Sequence, residues 1–169
     1  ENKLRVNKIT WNTISLTTSN ASFYQKLEIE KNSPDGEMMR IIEFSIPYTN
    51  QNIISTEEGK TMFDHQLNEN YGHAIVDYMQ YIISDMDEVK KLLKQVQQKI
   101  DKELKLTSRE RNWSAIIAAN ITGGIIARKL KLIDYDMGRI YKEVVPVLAE
   151  MKKDTQAPVN NVGAIVGDI

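Results

Sequence analysis

The alternation of apolar and polar positions changes character along the chain. Thr13, Ile14, Ser15, Leu16 and Thr17 alternate with the period of a strand, and their β-branched content agrees. The spacing predicts a short strand near residues 10–18. Asn20 follows, and the residues from Ala21 to Leu27 predict a short helix near residues 21–30. Asn32-Ser33-Pro34-Asp35-Gly36 is turn chemistry. A second apolar run predicts another short strand near residues 39–46, stopped by Pro47. Its polar positions, Arg40 and Glu43, do not alternate, so a strand buried on both faces is expected.

From residue 55 on, the period becomes helical. Ser55 with Glu58 forms a capping box, and the helix it opens carries Met62, Phe63 and Leu67. Asn68-Glu69-Asn70-Tyr71-Gly72 breaks it. The next helix shows Tyr71, Ile75, Tyr78, Met79 and Ile82 on one face. Ser84 with Asp87 is expected to start a longer helix, with Val89, Leu92, Leu93, Val96, Ile100 and Leu104 as its stripe. Thr107 with Glu110 reads as another capping box, before a helix burying Trp113, Ile116, Ile117, Ile121 and Ile125. The last helix carries Met137, Ile140, Tyr141, Val144, Leu148 and Met151. Pro146 is expected to bend or split it. Gly123-Gly124 costs roughly 1 kcal/mol per residue relative to Ala; it predicts either a close helix approach, or a hinge or backbone pressed against a ligand. The expected fold is mainly α with a small β component: two short core strands, then a bundle of about five helices.

Composition narrows the chemistry. There are 169 residues, enough for one domain with a core. With 22 basic and 23 acidic residues, no strong global field attracts nucleic acid. The absence of cysteine excludes disulfides, thiolate metal sites and a cysteine nucleophile. No apolar run approaches the roughly 18–20 residues of a membrane span, and no signal-peptide pattern is seen, which points to the cytoplasm and away from a membrane. The chain opens on Glu1 and closes on an apolar run after the loop-like residues 155–161. This reads either as a piece of a longer protein or as a mature chain with a disordered tail.

Candidate chemistry is sparse. His65 and His73 are eight apart across a predicted break, and no His-Glu-x-x-His pattern occurs, so no metal site is expected. Neither a Gly-x-Ser-x-Gly elbow nor a Gly-x-x-x-x-Gly-Lys-Ser/Thr phosphate loop is present. Glu43 between Ile42 and Phe44 reads as a satisfied edge residue before it reads as an acid catalyst. Lys90, Lys91 and Lys94, with Lys99 and Lys102, form a basic helix face. It is either a solvated surface or a phosphate-backbone contact. Asn20 is either a helix cap or a polar group at a strand end, where α/β folds place chemistry.

The segments TWNTISLTTSNASFYQKL, GEMMRIIEF, LNENYGHA and TSRERNWSAIIAANITGG together resemble the carboxyl-side part of helicase- or primase-associated P-loop ATPases of phages and mobile elements. The resemblance covers residues from about 5 to 155. It implies that Asn20 orients the attacking water, that Thr18 and Ser19 border the nucleotide, and that Arg40 reaches the nucleotide of a neighbouring subunit. It further implies that residues 1–50 are a partial ATPase core, 51–154 a helical lid or accessory bundle, and 155–169 a linker or the start of a further segment. ATP and Mg²⁺ would then be bound only by the full-length parent, whose phosphate loop and acidic strand lie outside this sequence. The implied setting is DNA replication in a host or infected bacterial cell, with a homo-oligomer, DNA and other replication proteins as partners. The alternative is a non-catalytic helical protein–protein interaction module, or a DNA-binding helical domain.

Overall fold

The computed structural model describes residues 14–30, 35–45 and 55–155. Among them the chain is mainly helical. The elements are α1 (Phe23–Glu30), α2 (Asp35–Met38), α3 (Thr56–Thr61), a π-helical turn (Met62–Gln66), α4 (Leu67–Glu69), α5 (His73–Ser84), α6 (Met86–Leu104), α7 (Arg111–Lys129) and α8 (Met137–Asp154).

The core is built by α6, α7 and α8. Ile100 of α6, Trp113, Ile117, Ala118 and Ile121 of α7, and Met137, Leu148 and Met151 of α8 form one buried cluster. These residues are the helical stripes of the sequence meeting at a common axis, and their burial supplies most of the fold's hydrophobic free energy. Polar groups close the helix ends. Asp136 caps α8, its Oδ1 accepting from the backbone N–H of Gly138 at 2.9 Å and Arg139 at 3.3 Å. Lys105 turns the chain out of α6 at φ 49°. Lys152 Nζ then donates to the carbonyls of Leu104 at 3.1 Å and Lys105 at 2.7 Å. A cation thus meets the negative end of the α6 dipole and ties it to α8.

The glycine pair on α7 has a packing reason. A Cβ on Gly123 would lie 2.9 Å from the Tyr78 hydroxyl, and one on Gly124 would collide with the Met137 side chain. The bare backbone therefore admits α5 and the start of α8 side by side, as the close-approach reading expects. Gly72 adopts φ 78° at the start of α5, where a side chain would be strained.

Several expectations are corrected. Neither predicted strand, near 10–18 or 39–46, is present among the described residues; 14–18 and 41–45 carry no strand pairing. Residues 10–13 and 46 lie outside the described residues. A strand exists only with a partner to exchange backbone hydrogen bonds, and among the described residues none lies alongside either segment. Local alternation alone cannot supply one. Pro146 does not split α8, which runs through it. Pro146 and Lys142, whose carbonyl loses its donor, both face water, so solvent can satisfy the orphaned group. Ser84 ends α5 and does not cap α6, which starts at Met86 without a side-chain cap. The Ser55–Glu58 capping box is present in both arms.

Candidate functional site

The residues singled out by the sequence fall into two places. The first is the segment around α1 and α2. Ser19 Oγ accepts from the Ala21 backbone N–H at 3.3 Å, which turns the chain at Asn20. Ser22, not Asn20, is the side-chain cap of α1, its Oγ accepting from Gln25 N–H at 3.3 Å. Glu43 completes the cap from a distance of 21 residues. Its Oε2 accepts from the Ser22 hydroxyl at 3.2 Å and from the Phe23 N–H at 3.0 Å. A carboxylate at a helix N-terminus is favoured by the helix dipole, so Glu43 serves here as a cap. The Tyr24 hydroxyl donates to the Ile41 carbonyl at 2.6 Å. Burial pushes the Tyr24 phenol well above its ordinary pKa, with the charges of Glu43 and Asp154 adding to it.

This hydrogen-bonded unit is anchored on the core through α2. Met38 and Met39 are buried, and Asn112 Nδ2 of α7 donates to the Met39 carbonyl at 3.4 Å. Arg40 follows at once and is exposed, its backbone N–H donating to the Glu37 carbonyl at 3.0 Å. Asn20 and Thr18 are exposed as well. Asn20 therefore sits two residues before the Ser22–Glu43 contact and Arg40 three residues before Glu43. The unit brings their flanks together but offers no sheet rim for them to share. Their apolar neighbours Ile14 and Leu16 are 78% and 97% exposed.

The second place is α6. Lys90, Lys91 and Lys94 are exposed on it. Lys99 is engaged over the Tyr141 ring at 4.3 Å. The Tyr141 hydroxyl donates to Glu103 at 2.7 Å, and its pKa is raised by burial first and then by that carboxylate. Lys91 also lines a shallow groove of about 290 Å³ with Tyr81, Glu88, Val89 and Ile125. At its mouth Lys129 Nζ donates to the Tyr81 hydroxyl at 2.7 Å and lies 4.7 Å above the ring. That hydrogen bond raises the Lys129 pKa. Among the described residues no group of three or more His, Cys, Asp or Glu could hold a metal ion, and no helix is long and apolar enough to cross a membrane.

The sequence reading missed two features. One is Glu43 as a long-range cap, for which the only signal was its position between two apolar residues. The other is α5, where Tyr78 and Ile82 of the expected face are half-buried, but Tyr71, Ile75 and Met79 of that face are exposed and Tyr81, not placed on it, is half-buried. The near-continuous apolar run of α5 was the available signal. Comparison with protein-family models, with curated proteins and with solved structures yields no match.

Proposed function

We propose that this chain carries the sensor asparagine, the trans-acting arginine and the helical accessory region of a helicase-like P-loop ATPase that works on DNA. The observation that carries the reading is the placement of Asn20 and Arg40: both face solvent at the borders of one unit whose segments are cross-linked by the Ser22–Glu43 and Tyr24–Ile41 hydrogen bonds. The extended segments beside them, with Ile14, Leu16 and Phe44 turned to water, suit chains that complete a sheet supplied by the nucleotide-binding core. In that setting the Asn20 amide orients water, and the planar, permanently charged Arg40 fork stabilises charge on the transferring phosphoryl group of a neighbouring subunit. ATP and Mg²⁺ are held by residues outside this sequence. Lys90, Lys91 and Lys94 are the surface for a DNA backbone, which makes that contact weaker as salt rises.

The test is turnover of the complete gene product. Asn20→Ala and Arg40→Ala should each lower ATP hydrolysis by on the order of a thousandfold while leaving nucleotide affinity nearly unchanged. Wild-type turnover in both variants sinks the assignment. The chain of 169 residues alone should neither bind nor hydrolyse ATP.

A second reading is favoured by α3–α5, where Phe63, Leu67, Ile75, Val76 and Ile83 are all exposed. It is a non-catalytic helical module that binds a protein partner through these apolar faces. Under it Asn20 and Arg40 are surface residues, and both alanine variants are silent.

A further inference from the structure

Charge is unevenly placed along the chain. Its net charge is −1, yet from Val89 to Lys105 there are six lysines against two carboxylates, Asp101 and Glu103. Lys91, Lys94, Gln98 and Lys102 follow one another at steps of three, four and four residues, so they stand on one face of α6. All four are exposed, and their face lies opposite Leu93, Val96 and Ile100, which pack in the core. At 1.5 Å per residue the row is about 16 Å long. Lys90, also exposed, stands one turn before Lys94 and widens the start of the row. Asp87 and Glu88 precede the row and Asp101 flanks it, while Glu103 is turned away to accept from the Tyr141 hydroxyl. Among the described residues none of Lys90, Lys91, Lys94 and Lys102 enters a salt bridge.

We infer that this row binds the phosphate backbone of duplex DNA, in preference to a single strand and to a protein surface. The composition of the row selects that partner. It has no apolar or aromatic member, so a protein laid on it finds no apolar centre to bury, whereas a phosphate backbone asks only for cations and hydrogen-bond donors. The same lack counts against a single strand. Proteins that hold single strands stack the bases on aromatic rings, which offsets the entropy lost when a flexible strand is ordered. The rings beside α6 are already occupied: Lys129 lies over Tyr81 at 4.7 Å and Lys99 over Tyr141 at 4.3 Å. A duplex arrives ordered, and a straight row of cations meets its backbone with no stacking required. The inference rests on the DNA contact proposed above, extends it along α6 to Lys102 and narrows it to the double helix. Binding is read without nucleotide, so it is independent of the turnover of the Asn20 and Arg40 variants.

Fluorescence anisotropy of this chain against a labelled duplex of about 20 base pairs, and against one of its strands alone, tests the inference over a range of KCl from about 20 to about 150 mM. The duplex should bind at least about tenfold tighter than the strand at the lowest salt. Three neutralised phosphates give a log–log salt slope of roughly −2.7, so duplex affinity should fall about 20-fold between about 50 and about 150 mM KCl. The Lys91→Gln/Lys94→Gln/Lys102→Gln variant keeps the helix propensity of α6 nearly intact. It should weaken duplex binding at least about tenfold at the lowest salt and bring the slope below about 1 in magnitude. Lys142→Gln/Lys153→Gln, at exposed positions on α8, should leave both unchanged. A triple variant that binds like wild type overturns the row as the site. Equal or tighter binding of the single strand overturns the duplex preference and leaves the broader DNA contact standing. No binding to either DNA at the lowest salt overturns both.

Discussion

Helix α7 buries Trp113, Ser114, Ile117, Ala118, Ile121, Thr122 and Ile126. Helix α5, with Ile75, Val76, Tyr78, Met79, Tyr81, Ile82 and Ile83, buries no residue fully. Helix α5 is the more apolar of the two, so a lack of apolar residues does not explain its exposure. What separates them is the small residues of α7. Ser114, Ala118, Gly123 and Gly124 let α6, α8 and the edge of α5 approach on several sides, and each neighbour covers a different part of the helix. Helix α5 carries bulky apolar side chains on most of its positions and, among the described residues, has neighbours on one side. The arm before it, from Thr56 to Glu69, goes further: none of its residues is buried, although Met62, Phe63 and Leu67 lie along it. Its order is local, resting on the Ser55–Glu58 capping box and on Asn68 Nδ2, which donates to the carbonyls of Phe63 at 3.3 Å and Asp64 at 3.0 Å.

The contrast can be broken most sharply by truncating one residue from each region. Trp113 and Leu148 are wholly buried, so Trp113→Ala should cost about 3–5 kcal/mol and Leu148→Ala about 2–5 kcal/mol. Phe63→Ala, on the exposed arm, should stay within about 0.5 kcal/mol of wild type. Urea titration followed by tryptophan fluorescence measures Leu148→Ala and Phe63→Ala, with far-UV circular dichroism for Trp113→Ala, which removes the buried reporter. A loss at Phe63 as large as that at Leu148 would mean that the arm is part of the core.

A smaller effect sharpens the core side. Glu110 is buried, and its Oε2 accepts from the Thr107 N–H at 2.8 Å and the Thr107 hydroxyl at 2.7 Å. Burial alone would raise its pKa, but the Thr107 hydrogen bonds outweigh it, with Lys152 helping, and the carboxyl is held below the usual range. Because the folded pKa is depressed, the stability it contributes is present above the ordinary carboxylate pKa and is lost as pH falls through the lower folded value. Glu110→Gln should cost about 1–2 kcal/mol at neutral pH. It should also flatten the decline of the melting temperature on the acid side. An unchanged acid limb would show that other carboxylates set it. Lys152→Met ranks next, at about 1 kcal/mol, since it leaves the last carbonyls of α6 to water and removes the cation at its negative end.

The same contrast explains what was legible in the sequence. The stripes of α6, α7 and α8 were, because a long helix declares its period within one segment and these three cover one another. Ile100, Trp113, Ile117, Ile121, Leu148 and Met151 were all placed on core faces beforehand and are buried. The strands near 10–18 and 39–46 were misread for the converse reason: alternation at Ile14 and Leu16 is local, whereas a strand needs a partner that the local pattern does not name. The inward face of α5 was assigned only in part, at Tyr78 and Ile82, because so many of its positions are apolar that Ile75 and Met79 fit the same stripe although they are exposed. Of the candidate site, the exposure of Asn20 and Arg40 accords with their polarity. The cap at α1 was misplaced by two residues, since the oxygen that completes it comes from Glu43, which no i-to-i+3 rule connects to Phe23.

That long-range cap gives the smallest of these effects and the most local one. Glu43→Gln keeps an acceptor in place but removes the charge at the start of α1, while Ser22→Ala removes both the acceptor for Gln25 and the donor to Glu43. Each should cost about 0.5–1 kcal/mol. The cost should fall on α1 alone, because α1 meets the α6–α8 cluster through Tyr24, while Met39, the buried member of that cluster from this unit, lies past α2 and away from the cap. Amide hydrogen exchange separates the two possibilities: faster exchange across Phe23–Glu30, with the α7 amides unchanged, is the expected result. If the α7 amides accelerate equally, the front unit and the core unfold together, and the division between a self-sufficient core and a loosely attached periphery does not hold.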